Sequence, residues 1–174
     1  MWDFFETVRH RHSVRKYQQT TPIEAEKLHA ILEMACAAPS AGDLQAYQIT
    51  VIHNQATRDL LRKASHDQAF ISEAPACLVF SADPSRSAET FGERGESLYA
   101  IQDATIAATY AQLAIVAAGM GSTWVGNFDN DAVKAALNCN DALQPIAILS
   151  VGYPAELPEP TPRRNIDDVV KQIP

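Results

Sequence analysis

Residues 97–118 restrict the folding of this 174-residue chain more than any other segment. Leu98, Ile101, Thr105, Ala108, Gln112 and Ile115 recur at helical spacing, and the positions between them are rich in alanine. Polar groups are scarce all round this helix, so it reads as a central one that its neighbours approach closely. Gly119 stops it, as a glycine just past a helix end commonly does.

The remaining elements arrange themselves around that helix. Phe4, Phe5 and Val8 predict a short amphipathic opening helix. Thr21-Pro22-Ile23-Glu24 has the form of a capping box with proline in the first turn. Leu28, Ile31, Leu32 and Ala35 continue it as one buried stripe that should end before Pro39. Strands are expected at 47–53, 76–81, 122–125 and 145–151, where β-branched, aromatic or continuous apolar residues cluster. Helices are expected at 57–64 and 131–137. Residues 83–96, with Pro84, Gly92 and Gly95, read as a polar loop. Beyond Gly152, Pro154, Pro158, Pro160 and Pro162 impose an extended tail. Such a tail must lie across its own body or a partner subunit. Strands and helices mix without strict βαβ alternation, so the expected class is α+β rather than a doubly wound sheet. With no internal repeat, 1–174 reads as a single domain with 153–174 as its tail.

Charge narrows the function. The chain carries a net charge of -7, yet four of its 14 Lys and Arg residues fall in Arg9-His10-Arg11-His12-Ser13-Val14-Arg15-Lys16. A second basic knot, Arg163-Arg164, lies near the other end. The two would converge on one phosphate if the chain, or a pair of chains, folds back on itself; guanidinium groups bind phosphate through paired donors. Lys16 reads as a solvated surface charge. A pI near 5.1 argues against nucleic acid or an anionic membrane as partner. The opening Met-Trp-Asp-Phe-Phe-Glu has no apolar signal core, and no run is long enough to span a membrane. Cys36, Cys77 and Cys139 are scattered, form no Cys-x-x-Cys, and read as small hydrophobes or idle thiols of a cytoplasmic protein.

No nucleophile elbow, Walker loop or dinucleotide fingerprint is present; Gly119-Met120-Gly121 follows a helix rather than a strand. No metal-ligand constellation accompanies His10 and His12. An enzyme without such groups relies on a cofactor for its reactive atom.

Arg11-His12-Ser13-Val14-Arg15-Lys16-Tyr17 resembles the opening motif of the FMN-dependent nitroreductase family. So do, in family order, Ala38-Pro39-Ser40-Ala41-Gly42-Asp43-Leu44-Gln45-Ala46-Tyr47, Ala74-Pro75-Ala76, Gly119 to Gly126, Gly152-Tyr153-Pro154 and Pro162-Arg163-Arg164. The resemblance spans nearly the whole chain. It implies a mainly antiparallel central sheet flanked by helices, and an intertwined homodimer with FMN at the subunit interface. Arg11, His12, Ser13 and Arg15 of one subunit would hold the ribityl phosphate and pyrimidine side. Pro39, Ser40, Asp43 and Gln45 would come from the other subunit. Trp124, Val125 and Gly126 would line the isoalloxazine, with a backbone N–H near flavin N5, and Arg163 or Arg164 would return to the phosphate. No side chain is assigned as catalytic, because the flavin supplies the chemistry.

Two departures stand out: Asp43 replaces the family's usual Asn, and Ala46-Tyr47 replaces Pro-Trp. An ionised Asp accepts hydrogen bonds but donates none. The implied activity is ping-pong transfer from NADH or NADPH, through FMN, to a nitroaromatic, quinone or similar small acceptor. A flavin carrier or sensor without rapid turnover, or a same-fold enzyme of other reductive chemistry such as dehalogenation, is also compatible with these residues.

Overall fold

The computed structural model describes residues 3–173, so Met1 and Trp2 of the opening segment lie outside it. Four strands form one fully antiparallel sheet in the order β1-β2-β4-β3. They are β1 (Tyr47–Ile52), β2 (Ala76–Ala82), β3 (Gly121–Val125) and β4 (Gln144–Gly152). Seven helices are present among the described residues: α1 (Phe4–His10), α2 (Ala25–Cys36), α3 (Gln55–Ala64), α4 (Phe70–Glu73), α5 (Pro84–Arg94), α6 (Ala100–Ala117) and α7 (Asn130–Leu137). The class is α+β, as the sequence implies, and no helix among the described residues is long and apolar enough to cross a membrane.

Successive side chains of a strand point to opposite faces, and both faces of this sheet are covered. Leu78 and Phe80 of β2, with Leu149 and Val151 of β4, pack against Ile31 of α2 and Ile115 of α6. The alternate residues Cys77, Val79 and Ile148 pack against Leu61 of α3, Ile71 of α4 and Val133 of α7. Burial on both faces explains why β2 and β4 read as continuous apolar runs rather than alternating ones.

α6 is the central helix on the first face. Ala100, Ala104, Ala107, Ala108 and Ala111 are fully buried along it, and Gly119 adopts φ 77° just past its end. Its outer face, with Gln102 and Tyr110, is exposed in this chain.

Two expectations are corrected. Residues 83–96 are not a loop: Asp83 caps the N-terminus of α5 by accepting from Arg86 N, and Pro84 occupies the first turn. The helix breaks at Gly92, and a π turn over Gly95–Tyr99 leads into α6. The glycine at 95 marks close packing, since a Cβ there would sit 2.4 Å from Ser87 O. The expected capping box at Thr21 is also absent. α2 begins at Ala25, Thr21 Oγ1 donates to Gln18, and the Glu24 carboxylate accepts from Tyr153 Oη and Lys27 Nζ instead.

Cys77 and Tyr17 are buried at this sheet. Burial pushes the Cys77 thiol up to about 12 from an ordinary 9.0, against the pull of Arg58. Burial likewise raises Tyr17. Above pH 9.0 the unfolded chain therefore loses protons that the folded chain keeps, so these two groups make stability fall as pH rises and leave it flat below. Urea unfolding at about pH 8 and about pH 10.5 should show this loss, and Cys77→Ala should lessen it. An identical pH dependence in the variant would contradict the assignment to Cys77.

Candidate functional site

The basic octapeptide becomes a strap laid along an edge of the sheet. Ser13 forms a parallel bridge with Ser122 of β3, and Val14 N donates to Ser122 O at 3.1 Å. Tyr17, buried, donates to Val14 O at 2.7 Å and lies 2.7 Å from Ser150 Oγ of β4. The strap needs a bare backbone beneath it. A Cβ on Gly121 would sit 2.5 Å from Val14 Cγ2. On its other side the strap pairs with the start of the tail, through Gln18 N to Tyr153 O, Ala155 N to Lys16 O and Arg15 N to Glu156 Oε1. Lys16 faces Glu156 at 4.0 Å and is mostly exposed, as a surface charge would be.

The tail then brings the second basic knot back to the first. Val8, Arg9, Arg11, His12, Thr161 and Arg163 line one pocket of about 340 Å3. Burial, and then the nearby charge of Arg163, pull the Arg11 pKa down from its ordinary value. Among the described residues neither guanidinium is paired with a carboxylate. Two like charges near one another without a carboxylate partner, in a chain of net charge -7, are chemically suited to an anion, and Arg163, itself exposed, also donates through Nη1 to Thr161 O, Thr161 Oγ1 and Pro162 O. Arg164 turns away and donates to Asp168 O in the tail's own 3-10 turn at Ile166–Asp168. Arg15 is exposed, with its guanidinium 5.9 Å from the centre of the Phe70 ring. His12 also lines a neighbouring pocket of about 290 Å3 with Val14, Met120, Gly121 and Glu156.

Trp124 and Val125 lie on β3 and Gly126 just beyond it; β3 is an edge strand whose outer backbone groups past Ser122 have no partner strand among the described residues. Trp124 is half-buried on the α2/α6 face, Val125 is buried on the other, and Gly126 is exposed.

The other sequence-derived group lies elsewhere. Pro39, Ser40, Asp43 and Gln45 sit on the loop entering β1, at the opposite edge of the sheet. Three inter-strand gaps separate β1 from β3, roughly 14 Å. The loop adjoins the Ala82 end of β2 and the strap adjoins its Ala76 end, about 20 Å apart along the strand. One chain thus holds the two groups at diagonal corners.

The loop has an unusual backbone. Gly42, Asp43 and Gln45 adopt φ 57°, 55° and 49°. Gln45 N donates to Ser40 Oγ, and Gln45 Nε2 donates to Cys36 O. The Asp43 side chain is exposed and makes no hydrogen bond or ion pair among the described residues. Three supports of this loop escaped the sequence reading: Asp103 beneath it, Arg86 donating to Leu44 O, and Phe91 against Gly42. The available signal was Asp103 itself, an acidic residue in an alanine-rich buried stripe.

Comparison with known proteins places this arrangement among relatives. The model of the Nitroreductase family matches residues 8–83 and 65–153. A protein of Thermus thermophilus named NADH dehydrogenase is 30% identical, covering 92% of this chain and 91% of that one. An FMN reductase (NADPH) of Bacillus subtilis is 26% identical over 91% of this chain and 68% of its own length. The crystal structure of a nitroreductase family protein from Streptococcus pneumoniae superposes with a TM-score of 0.87 at 21% identity, covering 98% of this chain and all of that one. The NADPH:FMN oxidoreductase of Vibrio harveyi, solved with NAD+, superposes with a TM-score of 0.88 at 26% identity, covering 97% of this chain and 73% of that one.

Proposed function

This chain belongs to the nitroreductase family, and on that premise we propose that it is an FMN-dependent oxidoreductase using NADH or NADPH to reduce a small acceptor such as a nitroaromatic or quinone. One observation carries the reading: Arg11 and Arg163, from opposite ends of the chain, share a pocket without a carboxylate between them. Guanidinium, imidazole and hydroxyl groups are all donors, and a phosphate offers only acceptors. The donor set therefore fits the phosphate of FMN. The names of the Bacillus subtilis and Vibrio harveyi relatives support the same flavin and a nicotinamide donor.

When bound, FMN supplies the redox chemistry, accepting a hydride from the nicotinamide and passing electrons on to the acceptor. The chain's residues bind and orient. Arg11, His12, Ser13 and Arg15 hold the phosphate and pyrimidine side, and Arg163 closes over the phosphate. Arg164 is the weaker candidate, because Arg163 and not Arg164 lines the pocket with Arg11. The open outer backbone of Trp124 to Gly126 offers N–H and C=O groups to the ring system. Pro39, Ser40, Asp43 and Gln45 act on the flavin of a second copy, since the sheet holds them far from their own strap. A homodimer is therefore part of the reading. Exposed apolar surface supports it: Phe4, Met34 and Tyr110 lie around a groove of about 470 Å3 between α1, α2 and α6. Leu157, Ile166, Val169, Val170 and Ile173 are exposed along the tail.

The purified protein should carry a yellow chromophore. Anaerobic NADH or NADPH should bleach it within seconds, and a quinone should restore the colour. A bound flavin that neither nucleotide reduces would refute the enzymatic reading.

Arg11→Ala and Arg163→Ala should each weaken FMN binding about tenfold or more, a loss of ~1.4 kcal/mol. The double variant should lose less than the sum, because both groups meet one phosphate. Unchanged affinity in both single variants would return these arginines to the surface. Asp43→Asn should raise the flavin's reduction potential by on the order of tens of millivolts, since a nearby negative charge disfavours adding electrons. Redox titration reading the same potential in both proteins would remove Asp43 from the flavin's surroundings.

A further inference from the structure

We propose that Asp103, with Arg86, positions the 40–46 loop for flavin binding, an inference that rests on the loop's place in the site described above. Asp103 lies in the first turn of α6 and is only 2% exposed. Its Oδ1 accepts from Ala41 N at 2.9 Å and its Oδ2 from Ala46 N at 3.3 Å. No cation pairs with this carboxylate among the described residues, and its charge helps raise the pKa of the nearby Tyr47 hydroxyl, whose shift comes first from burial. One side chain thus ties down both ends of the loop.

Between those ends the backbone takes a form it would not take unaided. Asp43 and Gln45 lie in the left-handed region, which costs energy for any residue with a Cβ. Arg86 Nε, reaching from α5, donates to Leu44 O in the middle of the loop. Phe91, also on α5, lies 3.0 Å from the point where a Gly42 Cβ would stand. The strained stretch gains nothing for the core, because Gly42, Asp43 and Gln45 are all exposed. Strain held at an exposed loop by buried charge-assisted hydrogen bonds serves whatever the loop presents outward. Asp103 acts through the backbone, so it is a positioning residue and touches no reactant.

Dissociation constants for FMN and for riboflavin, measured on full-length wild type, Asp103→Asn and Arg86→Ala, test this together with thermal unfolding of the flavin-free proteins. In Asp103→Asn an amide group faces one of the two N–H donors. The affinities for FMN and riboflavin should fall by the same factor, about tenfold, because the loop is assigned away from the phosphate. The visible band of the bound flavin should shift as its surroundings loosen. Arg86→Ala removes a contact at the surface without opening the core, and should lower both affinities by roughly threefold with little change in unfolding temperature. Unfolding at lower temperature with both affinities and the spectrum unchanged would make Asp103 a stability residue only. Wild-type protein that binds neither flavin would overturn the underlying site as well. Wild-type binding with unaltered variants would overturn this proposal alone.

Discussion

The close packing of α6 on the sheet sets the distances on which every other part of the site depends. Five fully buried alanines along one side of the helix let its backbone approach β2 and β4 without bulky spacers. Eighteen residues at 1.5 Å each make a rod of about 27 Å. Its N-terminal turn carries Asp103 beneath the 40–46 loop. Its C-terminal end turns at Gly119 and feeds β3, against which the basic strap lies. One helix therefore joins the two corners of the sheet at which the candidate binding groups stand.

Electrostatics and topology then act together. A chain of net charge -7 has acidic partners to spare, yet Arg11 and Arg163 line one pocket and neither is paired with a carboxylate among the described residues. Keeping like charges close together is unfavourable, and an arriving anion relieves it. The strand order holds the strap and the 40–46 loop apart within one chain. On the proposed reading, a site built from both groups takes a second copy, and the exposed apolar groove and tail are surfaces such a copy would cover.

Much of this was legible in the sequence because the signals were local. Helical spacing in α2 and α6 and apolar runs in β2 and β4 gave element types and nearly their bounds. The basic knots were legible because they contrast with an acidic background. What failed was local chemistry with two readings. Asp83-Pro84 is a helix start as much as a turn, and the glycines that followed favoured the loop; one of them in fact permits contact with Ser87. Thr21 and Glu24 had the right spacing for a cap, but Tyr153 and Lys27, one of them 129 residues away, hold the Glu24 carboxylate. The role of Asp103 needed the fold, since Ala41 and Ala46 lie about sixty residues earlier in the chain. That Arg163 and not Arg164 lines the pocket with Arg11 likewise needed the path of the tail.

The central claim is that the meeting of Arg11 and Arg163 makes a phosphate cradle and so an FMN site. Parallel titration of the flavin-free protein with FMN and with riboflavin, at low and at high salt, tests it most directly. FMN should bind at least tenfold more tightly, and rising salt should narrow the gap as the phosphate contacts are screened. Equal affinity for the two flavins at low salt would contradict the claim.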